Sequence, residues 1–137
     1  MKEIENDFIK FWIEDDILYS QFKKPINGTI ENIKAIIDLR TAISDNKKQY
    51  WCYDFDGIKS YDKDARDYAE KNGQEHLYAC AAVLNSHIAR FILNTFMILK
   101  QPKVPLKGFT EKNKAINWLN ELKKKNERTK SIRTSHH

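Results

Sequence analysis

Tyr50-Trp51-Cys52-Tyr53-Asp54-Phe55-Asp56-Gly57-Ile58-Lys59-Ser60-Tyr61-Asp62-Lys63-Asp64-Ala65-Arg66 decides how this chain folds. Its first six residues are a dense aromatic run suited to a buried strand, and turn chemistry then leads into a helix start. Four aspartates, Asp54, Asp56, Asp62 and Asp64, crowd the junction. In an α/β domain the end of a strand and the start of the next helix is where ligands and partners are usually received.

Beyond the junction, Ala65, Tyr68 and Ala69 mark a short helix that Asn72-Gly73 should stop. Leu77 to Leu84 is almost wholly apolar, as expected of a central strand covered on both faces. Asn85-Ser86 punctuates it, and a long apolar helix follows, with Ile88, Phe91, Ile92, Phe96 and Leu99 expected on one inward side. Pro102 and Pro105 close that helix and introduce an edge strand over Val104 to Phe109. Thr110 can cap a last helix with Ala115, Ile116, Leu119 and Leu122 inward.

On the N-terminal side, Phe8 to Ile13 and Ile17 to Phe22 read as a hairpin around Glu14-Asp15-Asp16. Pro25-Ile26-Asn27-Gly28 breaks the pattern. Thr29 then caps a helix with Ile30, Ile33, Ile37 and Ile43 at helical spacing, ending near Asn46. The order β-β-α-β-α-β-α-β-α predicts an α/β fold: an N-terminal β-hairpin, then alternating β-α, with a mostly parallel central sheet of about five strands and four helices. One domain is expected over residues 1–125, with a basic flexible tail over 126–137.

With 137 residues, the chain is long enough to bury most of the surface a core needs. No apolar run approaches the length of a membrane span, and Met1 to Asp7 lacks the apolar core of a signal peptide, so a cytoplasmic protein without membrane insertion is expected. Cys52 and Cys80 sit in apolar runs without metal or redox spacing and read as reduced core residues. The net charge of +5 belongs to the C-terminus: residues 121–137 carry six Lys or Arg and two Glu, leaving 18 basic against 17 acidic residues. A nearly neutral body with a solvated basic tail disfavours a nucleic-acid reading. His136 and His137 have the look of a tag remnant and enter no metal argument.

The motifs, in this order, resemble the STAS superfamily, which includes the anti-sigma-factor antagonists and the SpoIIAA-like proteins. Asp54-Phe55-Asp56-Gly57-Ile58 followed by Tyr61-Asp62-Lys63-Asp64-Ala65 is similar to the antagonist pattern Asp-Leu-Ser-Gly-Val, then an apolar residue and Asp-Ser-Ser-Gly. Ala82-Val83, Ser86, Arg90, Phe96, Pro102, Phe109, Ala115 and Trp118-Leu119 resemble the SpoIIAA-like branch. The resemblance implies a non-enzymatic domain that binds a protein partner through the loop and helix after the central strand. On this chain that surface is Asp56, Ser60, Tyr61, Asp62, Lys63, Asp64 and Tyr68. The chain departs from the family at Lys63 and Asp64, which replace the two serines; Asp64 takes the place of the phosphorylated one. It is either a helix cap or a fixed mimic of the phosphorylated state.

Two other surfaces compete. Ser86, His87, Arg90 and Asn94 form a polar stripe at the start of an apolar helix, a ligand-binding alternative in which Arg90 could hold an anion. An apolar ligand among the tyrosines is a related reading. A metal-dependent hydrolase built on Asp54, Asp56, Asp62 and Asp64 carries low weight, because the spacing matches no metal-binding loop. No catalytic residue, metal or cofactor is assigned. Homo-oligomerisation stays open.

Overall fold

The computed structural model describes residues 2–100 and 102–135; His136 and His137 lie outside them. Strand β1 (Lys2–Glu5) pairs antiparallel with β2 (Ile9–Glu14), which forms the expected hairpin with β3 (Ile17–Phe22). Asp15 and Asp16 both take positive φ in the two-residue turn, the left-handed geometry that a tight hairpin requires. A short strand β4 (Ile26–Gly28) precedes helix α1 (Ile30–Ser44), whose first turn is capped by the Thr29 hydroxyl accepting from the Asn32 amide at 3.2 Å. The aromatic run forms β5 (Gln49–Asp54).

After β5 come β6 (Ile58–Tyr61), α2 (Lys63–Asn72), β7 (Leu77–Val83), α3 (His87–Lys100), β8 (Leu106–Phe109) and α4 (Lys112–Ser135). A six-stranded mixed sheet runs in the order β1-β2-β3-β5-β7-β8, antiparallel across β1, β2 and β3 and parallel from β3 to β8. Right-handed crossovers that always step the same way along a sheet place their helices on one face. Accordingly α1, α2 and α3 share one face and α4 covers the other. Alternation along the strands sorts the side chains: Leu18, Trp51, Tyr53, Cys80 and Ala82 meet the three-helix layer, while Tyr19, Tyr50, Cys52, Ala81 and Val83 meet Ala115 and Leu119 of α4.

Three strands were absent from the sequence expectation. β1 adds an edge to the hairpin. β4 and β6 pair parallel to each other in a separate two-stranded ribbon beside the main sheet. Gly28 is required there, since a Cβ at this position would lie 2.2 Å from the Ser60 carbonyl oxygen. Gly57 takes φ of +115°, a conformation that lets the chain leave β5 and turn back along β4.

Helix α3 corrects the expected inward face. Ala89, Ile92, Leu93 and Phe96 are buried, whereas Ile88, Phe91 and Leu99, expected inside, are exposed together with Ile98. The true inward face is rotated by about 80° from the expected one, at 100° per residue. A helix apolar on nearly every side gives periodicity little to choose from. Helix α4 runs past residue 125 to Ser135, and Asn126 donates to the Tyr50 hydroxyl at 2.6 Å.

Candidate functional site

The four aspartates of the junction are held apart and do separate work. Asp54 ends β5 half-buried; desolvation raises its carboxyl above the usual carboxylate range, against the opposing hydrogen bond its Oδ1 accepts from the Asp56 amide at 3.2 Å. Asp56 reaches across to the end of the neighbouring strand. Its carboxylate accepts from the Asn85 and Ser86 amides at 2.8 to 2.9 Å, next to the first turn of α3. Ser86 completes that cap by accepting from the Ala89 amide through Oγ at 3.0 Å.

Asp62 is the exposed N-cap of α2, and its side chain makes no capping bond. Lys63 is exposed at the first helical position. Asp64 is exposed too, and its carboxylate accepts from the adjacent Ala65 amide at 2.8 Å. Among the described residues no group of three or more His, Cys, Asp or Glu side chains is placed to hold a metal ion.

Tyr61 and Tyr68 face the core more than solvent. Tyr61 stacks on Phe96 with ring centroids 5.9 Å apart and planes 4° apart, and burial pushes its phenol well above the ordinary range. Tyr68 is half-buried beneath the Lys34 ammonium, 5.1 Å from the ring centroid. The Ser60 hydroxyl accepts from the Gly28 amide at 3.3 Å, helping to hold the β4–β6 ribbon.

The two surfaces expected to compete turn out to be neighbours. β6 packs against α3, and a groove of about 400 Å³ between them is lined by Lys59, Ser60, Tyr61 and Arg66 on one side and by His87, Ile88 and Phe91 on the other. Among the described residues no carboxylate lines it, so its charge comes from Lys59 and Arg66. Arg66 donates from Nη1 to the Tyr61 carbonyl at 2.6 Å, while its buried Nε has no partner among the described residues. His87, Arg90 and Asn94 are all exposed, in a polar stripe beside the apolar one. Among the described residues no ion pair engages Arg90, which therefore does not meet Asp64.

The exposed apolar stripe itself went unread in the sequence. Ile88 is 56% exposed, Phe91 72%, Ile98 78% and Leu99 58%, and these are the large apolar side chains left most open among the described residues. All four belong to α3. The signal was present as an excess of apolar residues in one helix, more than a single buried face can use. At its far end, Lys100 anchors α3 to α2 through ion pairs with Asp67 and Glu70.

No helix among the described residues is long and apolar enough to cross a membrane. Comparison with curated proteins and with solved structures returns no match. A family model described as Domain of unknown function (DUF7793) matches residues 11–123, from the hairpin through the first half of α4, and the chain belongs to that family.

Proposed function

We propose that the chain is a STAS-like, SpoIIAA-like domain without enzymatic activity that acts in the cytoplasm as a regulatory or scaffold module by docking a protein partner. The observation that carries this reading is the row of exposed apolar side chains on α3, Ile88, Phe91, Ile98 and Leu99. Soluble domains seldom leave such a row open without using it. The docking face is this stripe together with the adjoining groove against β6, so the Asp56 to Tyr68 region contributes its β6 edge and Lys59 more than its helix. The partner segment that suits it carries apolar anchors and acidic groups, because Lys59, Arg66 and Arg90 surround the stripe and no carboxylate among the described residues lines the groove.

Asp64 supports a static role for the family's switch position. It is exposed and bonds its own neighbour, as a helix-start residue does. Crosslinking and affinity capture test the reading with wild type, Phe91→Glu and Asp64→Ala. The expected result is a partner bound by wild type and Asp64→Ala and lost by Phe91→Glu. Partners retained by Phe91→Glu and lost by Asp64→Ala would return the docking site to the helix after the central strand. Size-exclusion chromatography with light scattering identifies the remaining case: a dimer dissociated by Phe91→Glu makes the stripe a self-association surface.

A further inference from the structure

A second feature lies inside the molecule, between the sheet and its three-helix layer. A cavity of about 100 Å³ lies there, partly open to solvent, with walls that are overwhelmingly apolar. Five aromatic rings line it: Trp51, Tyr53, Phe55, Tyr61 and Phe96. They are fixed by one another. Trp51 and Tyr53 stack at 4.2 Å, Phe55 meets Tyr53 edge-on at 5.2 Å, and Tyr61 lies flat on Phe96.

Three polar groups interrupt these walls, and each lacks a partner. Among the described residues the hydroxyls of Tyr53 and Tyr61 make no hydrogen bond, and of the three groups only the Gln74 Nε2 is fully buried as well as unpartnered. Burial keeps both phenols protonated, so all three groups can donate. The other end of the Gln74 amide is occupied: Oε1 accepts from the Lys103 amide at 2.6 Å and the Val104 amide at 3.0 Å. This fixes which end of the amide is left over, and it ties the segment carrying Pro102 and Val104 against the cavity wall. A buried amide donor left unpaired is rare in native interiors.

We propose that this cavity binds a compact, mainly apolar small molecule carrying one hydrogen-bond acceptor, such as a small ketone, aldehyde or ester. The apolar walls set the body of the ligand, and the donors of Tyr53, Tyr61 and Gln74 set its polar end. The volume sets its size at roughly four to five non-hydrogen atoms, since an engineered 150 Å³ apolar cavity accepts the six of benzene and this one is about two thirds as large. The cavity and the exposed α3 stripe use different sides of that helix, and the cavity meets the docking face at Tyr61, which lines both it and the groove. Leu93 and Phe96 line the cavity, whereas Phe91 and Ile98 point away from the core.

The test uses cyclobutanone and methylenecyclobutane, matched in shape and differing by the acceptor, titrated into the full chain by heteronuclear NMR. Saturable shifts are expected around Tyr53, Tyr61 and Leu93 with both probes. Tyr53→Phe and Tyr61→Phe keep the rings and should each weaken cyclobutanone about three- to tenfold while leaving methylenecyclobutane unchanged, as loss of one hydrogen bond requires. Ala82→Val adds two methyl groups at the cavity wall and should abolish binding of both probes in a folded protein. Absence of saturable shifts, shifts centred elsewhere, or a cavity filled only by ordered water in a high-resolution structure would overturn the proposal. So would cyclobutanone binding that is indifferent to both tyrosine substitutions.

Discussion

Asp56 is the residue whose role changed most between sequence and structure. Read as part of an acidic cluster, it is a bridge from the end of β5 to the start of α3, and its carboxylate holds two amides that α3 itself cannot satisfy. Asp56→Ala should cost about 1 to 2 kcal/mol in urea denaturation, with Asp56→Asn losing less because it keeps one acceptor oxygen. Asp54 has the opposite sign. Its folded carboxyl is raised by desolvation, so the folded state holds the proton more tightly than the unfolded chain, and stability falls as pH rises from the ordinary aspartate range through the raised value. Asp54→Asn keeps an acceptor for the Asp56 amide and carries no charge. It should therefore equal or exceed wild type in stability at pH 7, the difference shrinking as pH falls below the raised value in chemical denaturation. Arg40 is fully buried, donating to the Glu75 and Gly73 carbonyls at 2.8 and 2.9 Å with its guanidinium 5.3 Å from the Trp51 ring centroid. Arg40→Lys cannot reproduce the planar fork and should destabilise by about 2 to 4 kcal/mol, read by the shift in denaturation midpoint.

Among the elements, α3 separates folding from docking. Its inward residues, Ala89, Ile92, Leu93 and Phe96, form part of the main core, while its outer stripe contributes little to the fold. Phe91→Glu should change stability by no more than about 0.5 kcal/mol, since an exposed side chain gives up few contacts and a carboxylate near a helix start is favoured. Phe96→Ala should cost about 3 to 5 kcal/mol in the same thermal or urea melts, because it empties a core site under Tyr61. The contrast between two phenylalanines five residues apart is the element-scale check that the helix is seated as described. β6 and β4 make a related point. They are short, pair only with each other, and depend on Gly28 for close approach, so the ribbon rests on backbone fit more than on apolar pattern.

At the scale of the molecule, one sheet separates two cores. Cys52 and Cys80 lie on adjacent strands but on opposite faces, Cys52 beneath α4 and Cys80 toward the three-helix layer. They cannot meet in a disulfide without turning one strand over. Burial pushes the Cys52 thiol up to about 11 and the Cys80 thiol higher still, so neither supplies thiolate near neutral pH. Both should resist an aromatic disulfide reagent in the native state and react together when urea unfolds the chain. Rapid labelling of Cys52 alone, timed by absorbance, would mean that α4 opens independently of the three-helix layer.

The four helices and five of the main-sheet strands in their order, the hairpin, the Thr29 cap and the burial of Leu77 to Val83 were legible in the sequence, whereas β1, β4 and β6 were not. Each follows from local propensity and period, which neighbouring residues carry. Pairings between distant segments were not legible: β4 with β6, or Asp56 with the α3 amides, leave no mark in the local pattern. The rotation of α3 was hidden for another reason, because a helix apolar on two sides satisfies several inward faces equally until a sheet selects one. The aromatic cavity belongs to the same class, since Tyr53, Gln74 and Phe96 come from separate elements and share a wall only after the helices pack. Sequence thus determined the helices, five of the strands and their order, whose causes are local. Tertiary structure alone decided which apolar face stays open, which aspartate holds which amide, and where the interior leaves space.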